Sequence, residues 1–330
     1  MSLVHGSLKR RSSLNVEKLK KAVREVLPSV DAVIGYRAGT DPLRAEPCFI
    51  KDEKLVDEMV LGPLCVHNLA SYLPSEKRRV AVVVKGCDSR SVIQLLQEGI
   101  VKRENIVIIG VPCRGVVSAK KVNDAVGRQR VLSVTFEGDT VIVRTAGGEK
   151  RLPLADVSPA KCATCQYPTP LLYDVLADDP IEPDKPADAL YADVARIEAM
   201  TLPERWAYWE KELGRCVRCY ACRNACPMCV CTDSCIAETR EPHWMSQKAT
   251  ASEKMMFHLT HALHLAGRCT ECGECERACP MNIPLGLLKK KINREMLELF
   301  GYTAGIDSTD KPPLFTFRQD EERIEEHKLS

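Results

Sequence analysis

Between residues 15 and 27 the apolar side chains Val16, Leu19, Val23, Val26 and Leu27 recur at helical spacing and form one stripe. Three short β-branched runs follow at 30–34, 80–84 and 106–109. Apart from Asp31 they are unbroken by polar residues, the pattern of parallel strands covered on both faces. Between the last two, residues 89–98 read as a helix with Ser89 as its N-cap, which gives strand–helix–strand. Residues 131–136 and 140–144, joined around Glu137-Gly138-Asp139, read as a hairpin. The stretch 177–204 begins acidic and proline-rich, so an interdomain linker is expected there. Helices are expected at 205–213, which carries Trp206 and Trp209, at 252–265 and at 284–300. The last residues, 306–330, are charged around an apolar island at 312–317 and read as a tail, free or docked on a partner.

This pattern predicts an α/β N-terminal domain with a mainly parallel sheet over residues 1–176. A separate C-terminal domain, helix-rich α+β, is expected over 205–305. A formal net charge of +2 gives no bias toward nucleic acid or a membrane surface. No run approaches the roughly 18 apolar residues of a membrane-spanning helix. Arg10-Arg11 is followed by charged residues and not by an apolar stretch, so no export signal is expected. A cytoplasmic location is the expectation.

Seventeen cysteines change the picture. Seven fall between Cys216 and Cys235 and four between Cys269 and Cys279. In a reducing compartment such thiols are metal ligands, not disulfides. The string Cys216-x2-Cys219-x2-Cys222-x3-Cys226-Pro227 recurs as Cys269-x2-Cys272-x2-Cys275-x3-Cys279-Pro280, the run of bacterial ferredoxins. Three thiolates on successive short loops reach one cubane, and the fourth cysteine of such a run ligates the other cluster. One [4Fe-4S] cluster is therefore expected on Cys216, Cys219, Cys222 and Cys279. The other is expected on Cys226, Cys269, Cys272 and Cys275. Structural zinc is the alternative, but zinc sites pair their ligands across a longer loop.

Other residues are less patterned. Cys229, Cys231 and Cys235 either supply most of an additional site, completed by Cys48 or Cys65, or are spare thiols near the clusters. His258, His261 and His264 share one helix without an HExxH or CxxCH motif, so ligation is not expected of them. Cys87 and Cys113 follow the second and third strands, and Lys161-Cys162-Ala-Thr-Cys165 carries a CxxC pair. At the carboxyl edge of a parallel sheet, Cys87, Cys113, Cys162 and Cys165 would make a third cluster site. Unrelated buried thiols, a redox-active CxxC and zinc are the competing readings. Lys85, Asp88 and Ser89 in the same turn are candidates to touch a cofactor. Arg215, Arg218, Arg223 and Arg268 flank the clusters, to raise their potentials, steer an acidic ferredoxin, or simply face water. No GxGxxG or Walker sequence is present.

The segments KGCDSR, GVPCRG and KCATCQYP, followed by RCVRCYACRNACPMCVC and AGRCTECGECERACPMNIP, resemble the coenzyme F420 hydrogenase/dehydrogenase beta-subunit family, in its bacterial form fused to a dicluster ferredoxin domain. The resemblance spans roughly residues 20–305 and resides in the cysteine motifs. It implies an electron-relay subunit of a formate dehydrogenase, hydrogenase or heterodisulfide-reductase-like complex, with other subunits and ferredoxin as partners. It also implies FAD beside a [4Fe-4S] cluster in the first domain. The paired-cysteine CCG motif of heterodisulfide-reductase catalytic subunits is absent. Two other readings remain: a flavin-containing subunit that oxidises or reduces F420 or NAD(P)H, and a zinc-stapled interaction module.

Overall fold

The computed structural model describes residues 15–231 and 248–317, together with residues 235, 237 and 246. The first helix, Val16–Val26, is capped by Asn15 and buries Leu19, Ala22, Val23 and Val26, the stripe read from the sequence. It covers a five-stranded sheet of order β2-β1-β3-β4-β8. The strands are β1 (Ala32–Ala38), β2 (Ala45–Ile50), β3 (Val80–Val84), β4 (Ile106–Gly110) and the two-residue β8 (Val175–Leu176). In chain order β5 (Val131–Glu137), β6 (Thr140–Thr145) and β7 (Gly148–Pro153) come between β4 and β8 and form a separate antiparallel sheet.

All five residues of β3 are buried, and β3 pairs in parallel with both β1 and β4. Each fully buried valine there contributes roughly 1.5–3 kcal/mol. The first run is displaced from 30–34 because Asp31 leaves the ladder and its carboxylate accepts from the amide of Arg79 at 3.1 Å. The antiparallel edge strand β2 is hidden in the sequence by Pro47, which an edge tolerates. The three-stranded sheet packs Val131, Val141, Val143 and Leu152 against the Ala119–Ala125 helix in a core of its own.

The helix after β3 runs Gly86–Gln97, three residues earlier than expected. Ser89 is not its N-cap. The Asp88 carboxylate accepts from the amide of Lys85 at 3.3 Å, while the Ser89 hydroxyl donates to the Gly86 carbonyl and accepts from Leu171. Nearly the whole helix is buried, because the C-terminal part lies over it. Ser91 meets Thr270 at 2.8 Å, Arg90 donates to the Ala304 carbonyl at 2.8 Å, and Glu98 pairs with Arg268 at 2.5 Å. Met228 and Leu265 extend the same core across this boundary.

The stretch expected to be a linker carries the helix Ala192–Glu198, with Val194 and Ile197 buried. Lys290 reaches Asp193 at 3.0 Å and Arg294 reaches Glu198 at 2.7 Å, so this helix is fastened to the Leu285–Phe300 helix. The run of prolines stops at Pro186, and residues 192–198 are amphipathic. The helix Leu202–Gly214 leaves Trp206 exposed, and the helix Ala251–Leu263 lies beside the cysteine loops. In the apolar island of the tail, Leu314, Phe315 and Phe317 are exposed. Among the described residues no helix is long and apolar enough to cross a membrane.

Candidate metal centres

The two cysteine blocks fold alike residue by residue. Arg218 and Tyr220 in the first, and Glu271 and Gly273 in the second, occupy the left-handed region at φ +52°, +57°, +57° and +72°. These are the second and fourth residues after the leading cysteine of each block. Left-handed residues interspersed with right-handed ones turn successive amides inward, the concave nest that cradles anions and iron–sulfur clusters. The amide two residues on donates to the sulfur behind it: Arg218 to Cys216 at 3.2 Å, Glu271 to Cys269 and Glu274 to Cys272. Such donors stabilise charge on sulfur.

Cys216, Cys219 and Cys222 share a small cavity with Cys279, the distant cysteine, and with Tyr220, Phe257 and His258. His258 is 3% exposed, and among the described residues neither of its ring nitrogens has a hydrogen-bond partner. Burial, and then the charges of Lys289 and Arg218 with His261, push it down to about 3, so the ring is neutral. An unpaired buried donor beside four thiols fits a sulfur-rich occupant that accepts from it. Burial, ahead of neighbouring sulfurs, also pushes the Cys222 thiol up to about 12. A metal that takes the thiolate reverses this penalty.

Around the second set, Cys226, Cys269, Cys272 and Cys275 are electrostatic neighbours of one another. Lys289, 4% exposed, stands among the sulfurs of Cys275, Cys226, Cys269 and Cys229, and donates to Cys275. Burial works against its charge, but those sulfurs outweigh it and its pKa is raised. A buried ammonium is tolerated when anions neutralise it. A cubane on four thiolates would supply that anion. Lys289 escapes a sequence reading because it lies in the helical run LLKKK, where a lysine normally faces water.

The additional cysteines divide. Cys229 meets His261 at 3.1 Å and donates to Cys226, whose pKa falls while that of Cys229 rises, so the proton stays on Cys229. Cys235 belongs instead to the core around Cys216 and Cys222, and Cys231 is exposed. Cys229 thus packs against the first core and Cys235 lies in the second. The histidines part in the same way: His258 faces one cysteine set, His261 the other, and His264 is exposed. Among the described residues no three or more His, Cys, Asp or Glu side chains converge closely enough for a single metal ion. The flanking arginines are occupied within the fold. Arg215 donates to the Met281 carbonyl at 2.9 Å, Arg218 to that of Glu253 at 3.3 Å, Arg223 to Asn224 at 3.1 Å, and Arg268 to Glu98.

At the carboxyl edge of β3 and β4 the structure brings three loops together. Cys87 lies in the first turn of its helix and Cys113 just beyond β4, while Cys162 and Cys165 arrive from the segment before β8. Cys113 is a neighbour of Cys87, Cys162 and Cys165. The amide-to-sulfur pattern of the ferredoxin loops recurs, from Gly115 to Cys113 at 3.4 Å and from Tyr167 to Cys165. Lys85 and Asp88, candidates from the same turn, are buried and paired at 2.6 Å. Lys85 also donates to the Tyr36 hydroxyl at 2.7 Å and the His67 carbonyl at 2.9 Å, so this pair supports the turn from within.

Gly86 makes that approach possible. A Cβ there would fall 1.7 Å from the carbonyl oxygen of Tyr167, a backbone atom that cannot swing aside. Gly86→Ala is therefore expected to push the 162–169 loop off Cys87 and to destabilise the chain by about 1–3 kcal/mol. Thermal unfolding checks this, and iron analysis of the variant shows whether any iron bound at this edge is lost while that of the ferredoxin loops stays.

Comparison with known proteins matches both parts of the chain. The family of the C terminus of the coenzyme F420 hydrogenase/dehydrogenase beta subunit matches residues 77–185, and the 4Fe-4S dicluster domain family matches residues 208–283. Residues 77–185 are thus similar to that beta-subunit family, and residues 208–283 to the dicluster domain family. It is 24% identical to the F420-dependent formate dehydrogenase subunit beta of Methanocaldococcus jannaschii, over 88% of this chain and 91% of that one. With F420-dependent formate dehydrogenase 1 subunit beta of Methanococcus maripaludis it shares 22% identity, over 86% and 89%. Among solved structures, a chain of the F420-reducing [NiFe] hydrogenase complex from Methanosarcina barkeri aligns at 17% identity over 46% of this chain and 58% of that one, with a TM-score of 0.35. This beta-subunit-like chain is an iron–sulfur electron-transfer protein, and its dicluster domain carries [4Fe-4S] clusters.

Proposed function

We propose that the chain is the electron-relay subunit of a cytoplasmic oxidoreductase complex of the formate dehydrogenase or hydrogenase kind. It passes single electrons between a catalytic partner and a carrier such as ferredoxin. One cluster is held by Cys216, Cys219, Cys222 and Cys279, the next by Cys226, Cys269, Cys272 and Cys275, and a third by Cys87, Cys113, Cys162 and Cys165. The observation that carries this reading is Lys289, a buried ammonium with cysteine sulfurs as its charged neighbours. The crossed ligand sets draw support from the cavity that Cys279 shares with the first block. The names of the relatives, subunits of F420-dependent formate dehydrogenases, support the complex.

A second reading adds a flavin that takes hydride from reduced F420 or a nicotinamide and releases electrons singly. It is favoured by the F420-dependent relatives and by an open cleft lined by Lys120, Asn123, Arg128, Arg130, Pro280 and Asn282, next to Cys279. Anaerobic purification with iron, sulfide and flavin assays tests both. The relay reading expects iron and sulfide in equal amounts and co-purifying subunits, and zinc without sulfide would end it. After acid precipitation, a flavin-free supernatant from iron-replete protein would remove the second reading alone.

A further inference from the structure

We propose that Lys161 is a positioning residue that ties two clusters into one electron path, with its single ammonium facing the Cys87 site and the Cys272 cluster together. The inference rests on the reading of a third cluster at Cys87, Cys113, Cys162 and Cys165.

Lys161 directly precedes Cys162 in the single helical turn Ala160–Ala163. Its side chain leaves that turn and crosses to the ferredoxin loops. The ammonium is 3.8 Å from the Cys87 sulfur and donates to the carbonyl of Cys272. The stem lies over Gly273, where a Cβ would sit 2.9 Å from the lysine Cδ. Gly273 thus serves twice: it takes the left-handed conformation the loop needs at φ +72°, and it leaves room for the lysine to pass. The nearby carboxylate in the loop, Glu274, is taken by Arg277 at 2.8 Å. The ammonium thus faces the Cys87 sulfur on one side and the Cys272 backbone on the other, with the Cys162 and Cys272 sulfurs and Glu274 within its electrostatic reach.

A fixed cation lowers the free energy of every electron added within its reach, more strongly where water is excluded. One cation between two centres raises both potentials together and keeps them matched, the condition for easy exchange in either direction. Lys161 is not among the residues that line the Cys216 cavity.

The test is an EPR-monitored redox titration of the full chain, loaded anaerobically, as wild type, Lys161→Gln and Lys161→Arg. The Gln variant keeps a donor for the Cys272 carbonyl without the charge. Its reduction equilibria at the Cys87 and Cys272 centres should shift at least about tenfold toward the oxidised state, roughly 59 mV for one electron. The Cys216 centre should stay in place, and the Arg variant should titrate like wild type. Loss of iron from the two named centres alone is the same effect taken further. Unmoved potentials in a three-cluster protein, or an equal change at all three centres, overturn the bridge. A wild type with iron for two clusters overturns the third-cluster reading first, and the iron count tells the two failures apart.

Discussion

Replacement of Cys279 by serine is expected to destroy or convert the cluster of the first cysteine block while the cluster of its own block survives. Cys279 follows Cys275 in sequence, yet it shares a cavity with Cys216, Cys219 and Cys222, and its pairing with Cys222 is electrostatic as well. Serine oxygen is a harder, poorer ligand for cluster iron than thiolate. The loss in affinity should exceed the roughly 10–100-fold typical of changes one layer further out. EPR of the reduced protein checks it, since the two centres give separate signals once one is altered. Survival of the Cys216–Cys222 centre, with loss of the Cys269–Cys275 centre, would falsify the crossed scheme. Pro227 and Pro280, directly after Cys226 and Cys279, end each loop, so the fold itself should tolerate the substitution.

The second large effect is expected at Cys87. Cys87→Ser should lower iron by one cluster and leave both ferredoxin signals present. It should also cost stability, because Lys161 loses the sulfur it faces and Lys85 and Asp88 stand directly behind. Removing one partner of a buried charge costs up to about 3–5 kcal/mol, and less here because Lys161 keeps the Cys272 carbonyl. Burial, ahead of its sulfur neighbours, pushes the Cys113 thiol across the site toward the protonated form, up to about 12. A site without a cluster would feel the Ser substitution far less than a loaded one. Iron and sulfide analysis beside chemical unfolding separates the cases: unchanged iron with unchanged stability means that no cluster resides there.

Both experiments bear on how a chain of this composition is put together. The ferredoxin loops are local structures, in which cysteine spacing, left-handed residues and a closing proline lie within about a dozen positions. They are legible as strings. The valine-rich β3 and the helix stripe at 16–26 are legible for a similar reason, since burial on both faces or on one leaves a pattern in the sequence itself. The edge strand β2, with Pro47 and Cys48 inside it, and the two-residue β8 leave no such pattern. The helix 192–198 is hidden by the acidic, proline-rich residues before it, and its partner on the Leu285–Phe300 helix is remote in sequence.

What the sequence determined by itself is the ligand chemistry and its duplication, because cluster loops are specified by residues a few positions apart. The cysteine spacing already pointed to the crossing of Cys279 and to the meeting of three loops at the sheet edge, whereas the placement of Lys161, Lys289 and His258 was decided by tertiary structure alone. Each of these depends on charges or sulfurs brought together from distant segments, and a lysine or histidine in a helical run looks the same whether it faces water or a buried anion.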